Sequence, residues 1–257
     1  MLKTRRSTLH FKAAAQPRSK TRPAQKKQKI TFPHGKPQFR IGIWDIDVYA
    51  GFLFRVLERL NESQRLFGFI RIEATVPMGL TLSGDRTRRL VADRGGDFHD
   101  PDISSNVFAP DVLEASKPMR KSLDIDVLAC IVSPLIMDYV DLEDEKSRLG
   151  WNFFSSARKG AIVVSAYDLR AYAADAGRPF EAALTAVIVA SALCSVFSRV
   201  EYHPETRGCL LDYCENRGDI VVMLRKPVIC EETLKQIPPT ARPDVLRMVS
   251  ILDEYKR

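Results

Sequence analysis

A chain of 257 residues, 45% hydrophobic and 28% charged, is long enough to bury one sizeable core. Its formal net charge of +7 is unevenly placed: the first 40 residues hold twelve Lys or Arg and no acidic residue, leaving 27 basic against 32 acidic side chains for the remainder. This asymmetry excludes reading the high pI as a basic domain surface, and the longest nearly apolar run, 182–197, is shorter than the roughly 20 residues a membrane-spanning helix needs.

Residues 1–38 form a basic arm. Lys, Arg, Gln, Pro and Ser dominate it and no periodic apolar face appears, so it is expected to be disordered. It has the charge to grip phosphates non-specifically, which makes nucleic acid a candidate partner. It lacks the aromatic interleaving that would stack bases. A solubilising leader and an Arg-rich transit segment are the competing readings.

The remaining residues, 39–257, are expected to form a single α/β (or α+β) domain. Residues 39–44 are rich in β-formers and predict a strand. Residues 48–66 predict a helix with Phe52, Val56, Leu57 and Leu60 on one face, ended by Gly68. A second strand is predicted over 69–76, stopped by Pro77. Residues 78–107 are polar and turn-rich, with a short helix over 87–93. Pro110 opens a further helix reaching Leu123. The apolar run 127–136 predicts a buried strand, 138–148 a charged loop, and 161–167 another strand. Pro179 sits as a first-turn residue of a long buried helix ending near Phe197. Residues 244–255 close the chain as an amphipathic helix with Val245, Leu246, Val249 and Leu252 on one side. Strands alternating with helices predict a mixed central sheet with flanking helices. The chain holds no internal repeat.

Five cysteines without a signal-peptide core predict reduced thiols and a cytoplasmic location. Cys130 and Cys194 lie in apolar runs and read as core packing. The others join the C-terminal histidine in a Cys/His-rich segment, 203–233, with the spacing His203-x5-Cys209-x4-Cys214-x15-Cys230. Three thiolates and an imidazole can close a tetrahedral zinc shell. The competing reading is three buried or free cysteines and a surface histidine.

These residues carry a resemblance to the archaemetzincins, whose zinc-binding helix HExxHxxGxxH is followed by C-x4-C and later by CxxC. Cys209-Leu210-Leu211-Asp212-Tyr213-Cys214 looks like the first cysteine pair. Cys230-Glu231-Glu232-Thr233 looks like the second, with Thr233 in place of its last cysteine. The resemblance covers about 125–235 and includes the order of elements before the cysteines. It implies a zincin-like core and a structural zinc on Cys209, Cys214 and Cys230, with His203, from the spacing above, as this chain's own substitute for the missing fourth ligand.

The helix that should hold HExxH contains neither histidine nor glutamate from Thr185 to Ser195. A zincin needs two imidazoles one turn apart and an adjacent glutamate to activate water. The expectation is therefore a pseudo-zincin with a binding or regulatory role and an unidentified protein partner, not an HExxH metalloprotease.

Three other constellations compete. Asp45 and Asp47 form a DxD at the end of a strand, the place where a metal-dependent phosphotransferase or phosphatase holds magnesium. Ser133, Ser165 and Asp219 are its candidate auxiliaries. The simpler reading makes both aspartates caps of the next helix. The run Asp97-Phe98-His99-Asp100-Pro101-Asp102 gathers carboxylates about a histidine, and Arg86, Arg88 and Arg89 offer an anion patch.

Overall fold

A computed structural model describes residues 32–76, 106–142 and 145–256. The arm up to residue 31, the 87–93 helix, the 97–102 run and the arginines at 86–89 lie outside the described residues.

Five strands make the main sheet in the order β2-β1-β4-β8-β7. These are β1 (Phe39–Asp45), β2 (Phe67–Arg71), β4 (Val127–Val132), β8 (Ala161–Ser165) and β7 (Ser155–Arg158). All neighbours run parallel except β7, which pairs antiparallel with β8. The protein is a mixed α/β structure, as the alternating elements predict. The central strand β4 is buried on both faces, and its side chains divide by the two-residue period of a strand. Val127, Ala129 and Ile131 join one apolar cluster, and Leu128, Cys130 and Val132 join the other.

Helix α1 (Leu53–Asn61) packs on the first face with α4 (Phe180–Val196). Helix α2 (Ala109–Leu123) covers the second face. Between α2 and β8, strands β5 (Ile136–Leu142) and β6 (Glu145–Phe153) form a small sheet with β3 (Val107–Phe108). This corrects two expectations. The apolar run 127–136 is a strand, a break at Ser133–Leu135 and the start of another strand. The charged stretch 138–148 is an antiparallel hairpin rather than a loop, because a two-stranded ladder needs no apolar pattern on both faces.

The first helix is shorter than predicted for a definite reason. Asp45 accepts hydrogen bonds from the amides of Val48, Tyr49 and Ala50. That holds a turn with Tyr49 at φ 55° and delays the helix to Leu53. Phe52, expected on the buried face, is 58% exposed just before it. Gly68 does not end the helix but lies inside β2, where a Cβ would come within 2.6 Å of Phe32 and Pro37. Phe32 and Pro37 thus pack against β2.

Helix α4 is buried around nearly its whole circumference from Phe180 to Leu193. It contacts β4, β7 and β8 on one side and α1, α3 (Leu169–Asp175) and α7 (Arg242–Glu254) on the other. Among the described residues no single helix is long and apolar enough to cross a membrane. In α7, Val245, Val249 and Leu252 are buried as expected, Met248 completes their stripe, and Leu246 faces outward at 47% exposure.

The C-terminal segments are tied together by Arg178. Its guanidinium, 2% exposed, donates to the carbonyls of Leu224 and Arg225 at the end of helix α5 (Ile220–Arg225). It also donates to the carbonyls of Leu252, Asp253 and Tyr255 at the end of α7, and to the Asp253 carboxylate. One side chain thereby satisfies the orphan carbonyls of two helix termini.

Candidate metal centre

Three chain segments deliver the cluster. His203 lies in an isolated bridge with Asp212, its amide donating to Leu211 and its carbonyl accepting from Tyr213. Cys209 follows a tight turn in which Gly208 has φ 80° and the Asp212 carboxylate accepts from the amides of Arg207 and Gly208 at 2.8 and 2.6 Å. Cys209 then bridges to Val228, which brings Cys230 alongside. Cys230 is the N-cap of the short helix α6 (Glu231–Gln236), and its sulfur accepts the Thr233 amide at 3.4 Å. The helical i to i+3 relation puts the Thr233 side chain next to that sulfur.

The ligand atoms of His203, Cys209 and Cys230 all lie within 4.8 Å of one another. His203 Nε2 is 3.1 Å from Cys230 Sγ and 2.8 Å from Thr233 Oγ1. Thr233 Oγ1 is 3.3 Å from Cys230 Sγ and 3.7 Å from Cys209 Sγ. His203 and Cys209 are buried, and Cys230 is half-buried. Cys209 also accepts the Cys230 amide at 3.4 Å.

The fourth cysteine stands apart. Cys214, at φ 53°, directs its thiol to the Asp212 carbonyl at 3.5 Å and is not one of the convergent donors. Burial, with the negative charges of Asp212 and Asp219, pushes its pKa up to about 12, which keeps the thiol protonated. The two converging thiols differ from it and from each other. Burial raises Cys209. Burial also opposes ionisation of Cys230, but hydrogen bonds from Thr233, Cys209 and the Glu232 backbone overcome it, so that thiol sits below its ordinary value.

The donor set fits zinc. Two sulfurs and an imidazole are soft to borderline ligands of the kind zinc takes. Zinc–sulfur and zinc–nitrogen bonds of roughly 2.3 and 2.0 Å place such atoms roughly 3.5 Å apart on a tetrahedron. The 3.1 Å between Cys230 Sγ and His203 Nε2 needs only a small expansion to reach that. Thr233 was not a candidate ligand from the sequence, where it marks only a missing cysteine. The structure places its hydroxyl beside all three donors.

One face of α4 carries a hydroxyl network. Ser191 bonds the Val187 carbonyl at 2.8 Å and the Tyr202 hydroxyl at 3.0 Å, and Tyr202 reaches Ser155 on β7 at 3.2 Å. Burial, with Cys194 nearby, holds the Tyr202 hydroxyl above its ordinary range and therefore neutral.

The DxD has a structural use. Both Asp45 oxygens accept backbone amides of the turn before α1, so Asp45 caps that turn rather than the helix itself. Asp47 accepts the Ser133 amide at 2.8 Å and the Ser133 hydroxyl at 2.6 Å, tying the end of β1 to the end of β4. Ser165 donates to the Pro134 carbonyl, and Asp219 accepts from Thr206.

No family model matches the chain, and no curated protein matches it. Among solved structures it is similar to a zinc-dependent peptidase from Methanocorpusculum labreanum (strain Z), at 16% identity and a TM-score of 0.38. The match covers 77% of this chain and 98% of the other.

Proposed function

We propose that this protein is a zinc-binding, non-catalytic relative of the archaemetzincin type, with a binding or regulatory role. The observation that carries the proposal is the convergence of His203, Cys209 and Cys230 within 4.8 Å. His203, Cys209 and Cys230 hold the ion, with the fourth position beside the Thr233 hydroxyl. Bound zinc supplies folding free energy by linking the three segments that carry His203, Cys209 and Cys230. The non-catalytic part follows from α4. Zincin hydrolysis needs imidazoles and a carboxylate on that helix, and its polar side chains between residues 185 and 195 are Thr185, Ser191, Cys194 and Ser195.

The test is elemental analysis of protein purified under reducing conditions without chelator. The expected result is about one zinc per chain in the wild type, lost in Cys230→Ser and kept in Cys214→Ser. Wild-type protein without zinc overturns the reading. Zinc-dependent hydrolysis of peptides by purified protein overturns its non-catalytic part.

A further inference from the structure

The two cluster cysteines are unequal in a way that a purely static clasp does not require. Cys209 is 1% exposed, whereas Cys230 is half-buried at the surface end of the cluster. Their sulfurs are no more than 4.8 Å apart, although 21 residues separate them in sequence. A disulfide needs roughly 2.05 Å between sulfurs, so the two sulfurs must close from a separation already within 4.8 Å. The backbone already holds the pair together, since the Cys230 amide donates to Cys209 Sγ. Cys214, Cys194 and Cys130 are free thiols outside this pairing.

We infer that the centre is an oxidation-sensitive zinc clasp, in which a peroxide converts Cys209 and Cys230 to a disulfide and the metal is released. The inference rests on the zinc reading of this cluster. In the first step the Cys230 sulfur attacks one peroxide oxygen. A sulfur–oxygen bond forms, the oxygen–oxygen bond breaks, and the departing hydroxide takes a proton and leaves as water. In the second step the Cys209 sulfur attacks the resulting sulfenic sulfur. The sulfur–sulfur bond forms, the sulfur–oxygen bond breaks, and a second water leaves. Two electrons pass from the two sulfurs to one peroxide. Of the three convergent donors only His203 then remains, and a single imidazole does not retain zinc against solvent. A dithiol reductant regenerates both sulfurs.

The full chain, purified in reductant and then desalted, is treated with one equivalent of hydrogen peroxide. Intact mass, a non-reducing peptide map and a chromophoric zinc chelator read the outcome. The expected result is loss of two hydrogens, a Cys209–Cys230 cross-link and loss of the bound zinc, all reversed by dithiothreitol. Cys214→Ser retains the cross-link and Cys230→Ser loses it. Sulfinic acid at Cys230 without a cross-link, or a cross-link through Cys194 or Cys214, overturns the inference while leaving the zinc reading intact. Protein that carries no zinc defeats the zinc reading, and the release of metal proposed here falls with it. The peptide map of the wild type then decides whether the thiol pairing stands alone.

Discussion

Thr233 Oγ1 lies 2.8 Å from His203 Nε2 and 3.3 Å from Cys230 Sγ, so a hydroxyl stands beside the donors where a fourth thiolate would complete a shell. A neutral hydroxyl is a weak zinc ligand beside a thiolate, which brings charge as well as softness. Thr233→Cys should therefore raise zinc affinity by at least about tenfold, about 1.4 kcal/mol. Competition against a chromophoric chelator at fixed pH measures it. Unchanged affinity would mean that position 233 does not reach the ion.

The arginine that closes the C-terminal helices should matter to stability independently of the His/Cys cluster. Arg178 donates to five backbone carbonyls and one carboxylate from a nearly closed site. Arg178→Met fills much of the volume but leaves those carbonyls without their donor, at a cost of about 3–5 kcal/mol. For a domain of this size that corresponds to a fall of roughly 10 °C in Tm. Thermal unfolding monitored by circular dichroism tests it.

The same contact should appear in the acid limb of the stability curve. A hydrogen bond from Arg178 holds the Asp253 carboxyl below its ordinary value against partial burial, with Lys256 adding to the effect. A depressed folded pKa adds stability that is present above the unfolded value of about 3.9 and is lost as pH falls through the folded value. The difference in unfolding free energy between wild type and Asp253→Asn should thus be largest near neutrality and shrink below about pH 4. Urea titrations at several pH values provide the comparison, and a difference constant with pH would dissociate Asp253 from the effect.

Long apolar runs made the sheet and its central helix legible in the sequence. Strand β1 and helix α4 stand close to their expected places because each has an unbroken buried stretch, Ile41–Trp44 in β1 and Ala182–Leu193 in α4. Short elements escaped. Strand β7 spans four residues and α3, α5 and α6 six or seven, too few to show a period. Gly68 read as a helix stop because sequence does not show Phe32 and Pro37 closing over it. At the candidate metal centre, three of the four residues singled out by type and spacing, His203, Cys209 and Cys230, converge. The spacing named Cys214 as a ligand and gave Thr233 only as a missing cysteine, whereas Cys214 lies outside the convergent group and Thr233 beside it. The difference comes from the positive φ at Cys214, whose thiol lies against the Asp212 carbonyl, and from the helical turn joining Cys230 to Thr233.

Thiol chemistry should separate these cysteines. Burial pushes both Cys130 and Cys214 up to about 12, whereas Cys230 sits below its ordinary value. Iodoacetamide reacts with thiolates, so metal-stripped native protein at pH 7.5 should be alkylated first at Cys230 and last at Cys130 and Cys214. Time-resolved peptide mapping gives the order. Early labelling of Cys214 would contradict both its burial and its exclusion from the cluster.

The basic arm makes a separate prediction for a nucleic-acid partner. Residues 1–31 contain ten Lys or Arg and no acid, while the Arg40 guanidinium is paired with the Asp124 carboxylate. If the arm neutralises phosphates, binding of single-stranded DNA falls steeply as salt rises, with a slope that counts the contacts. Deleting residues 1–31 should abolish that binding without changing the zinc content or the Tm. The truncation stops before Phe32 because Phe32 packs against Gly68. Removing it would confuse lost binding with lost stability. Fluorescence anisotropy at several salt concentrations, on both chains, tests the assignment. Equal affinity in the two would place any nucleic-acid contact on the folded body, whose balance of 27 basic and 32 acidic side chains beyond residue 40 opposes it.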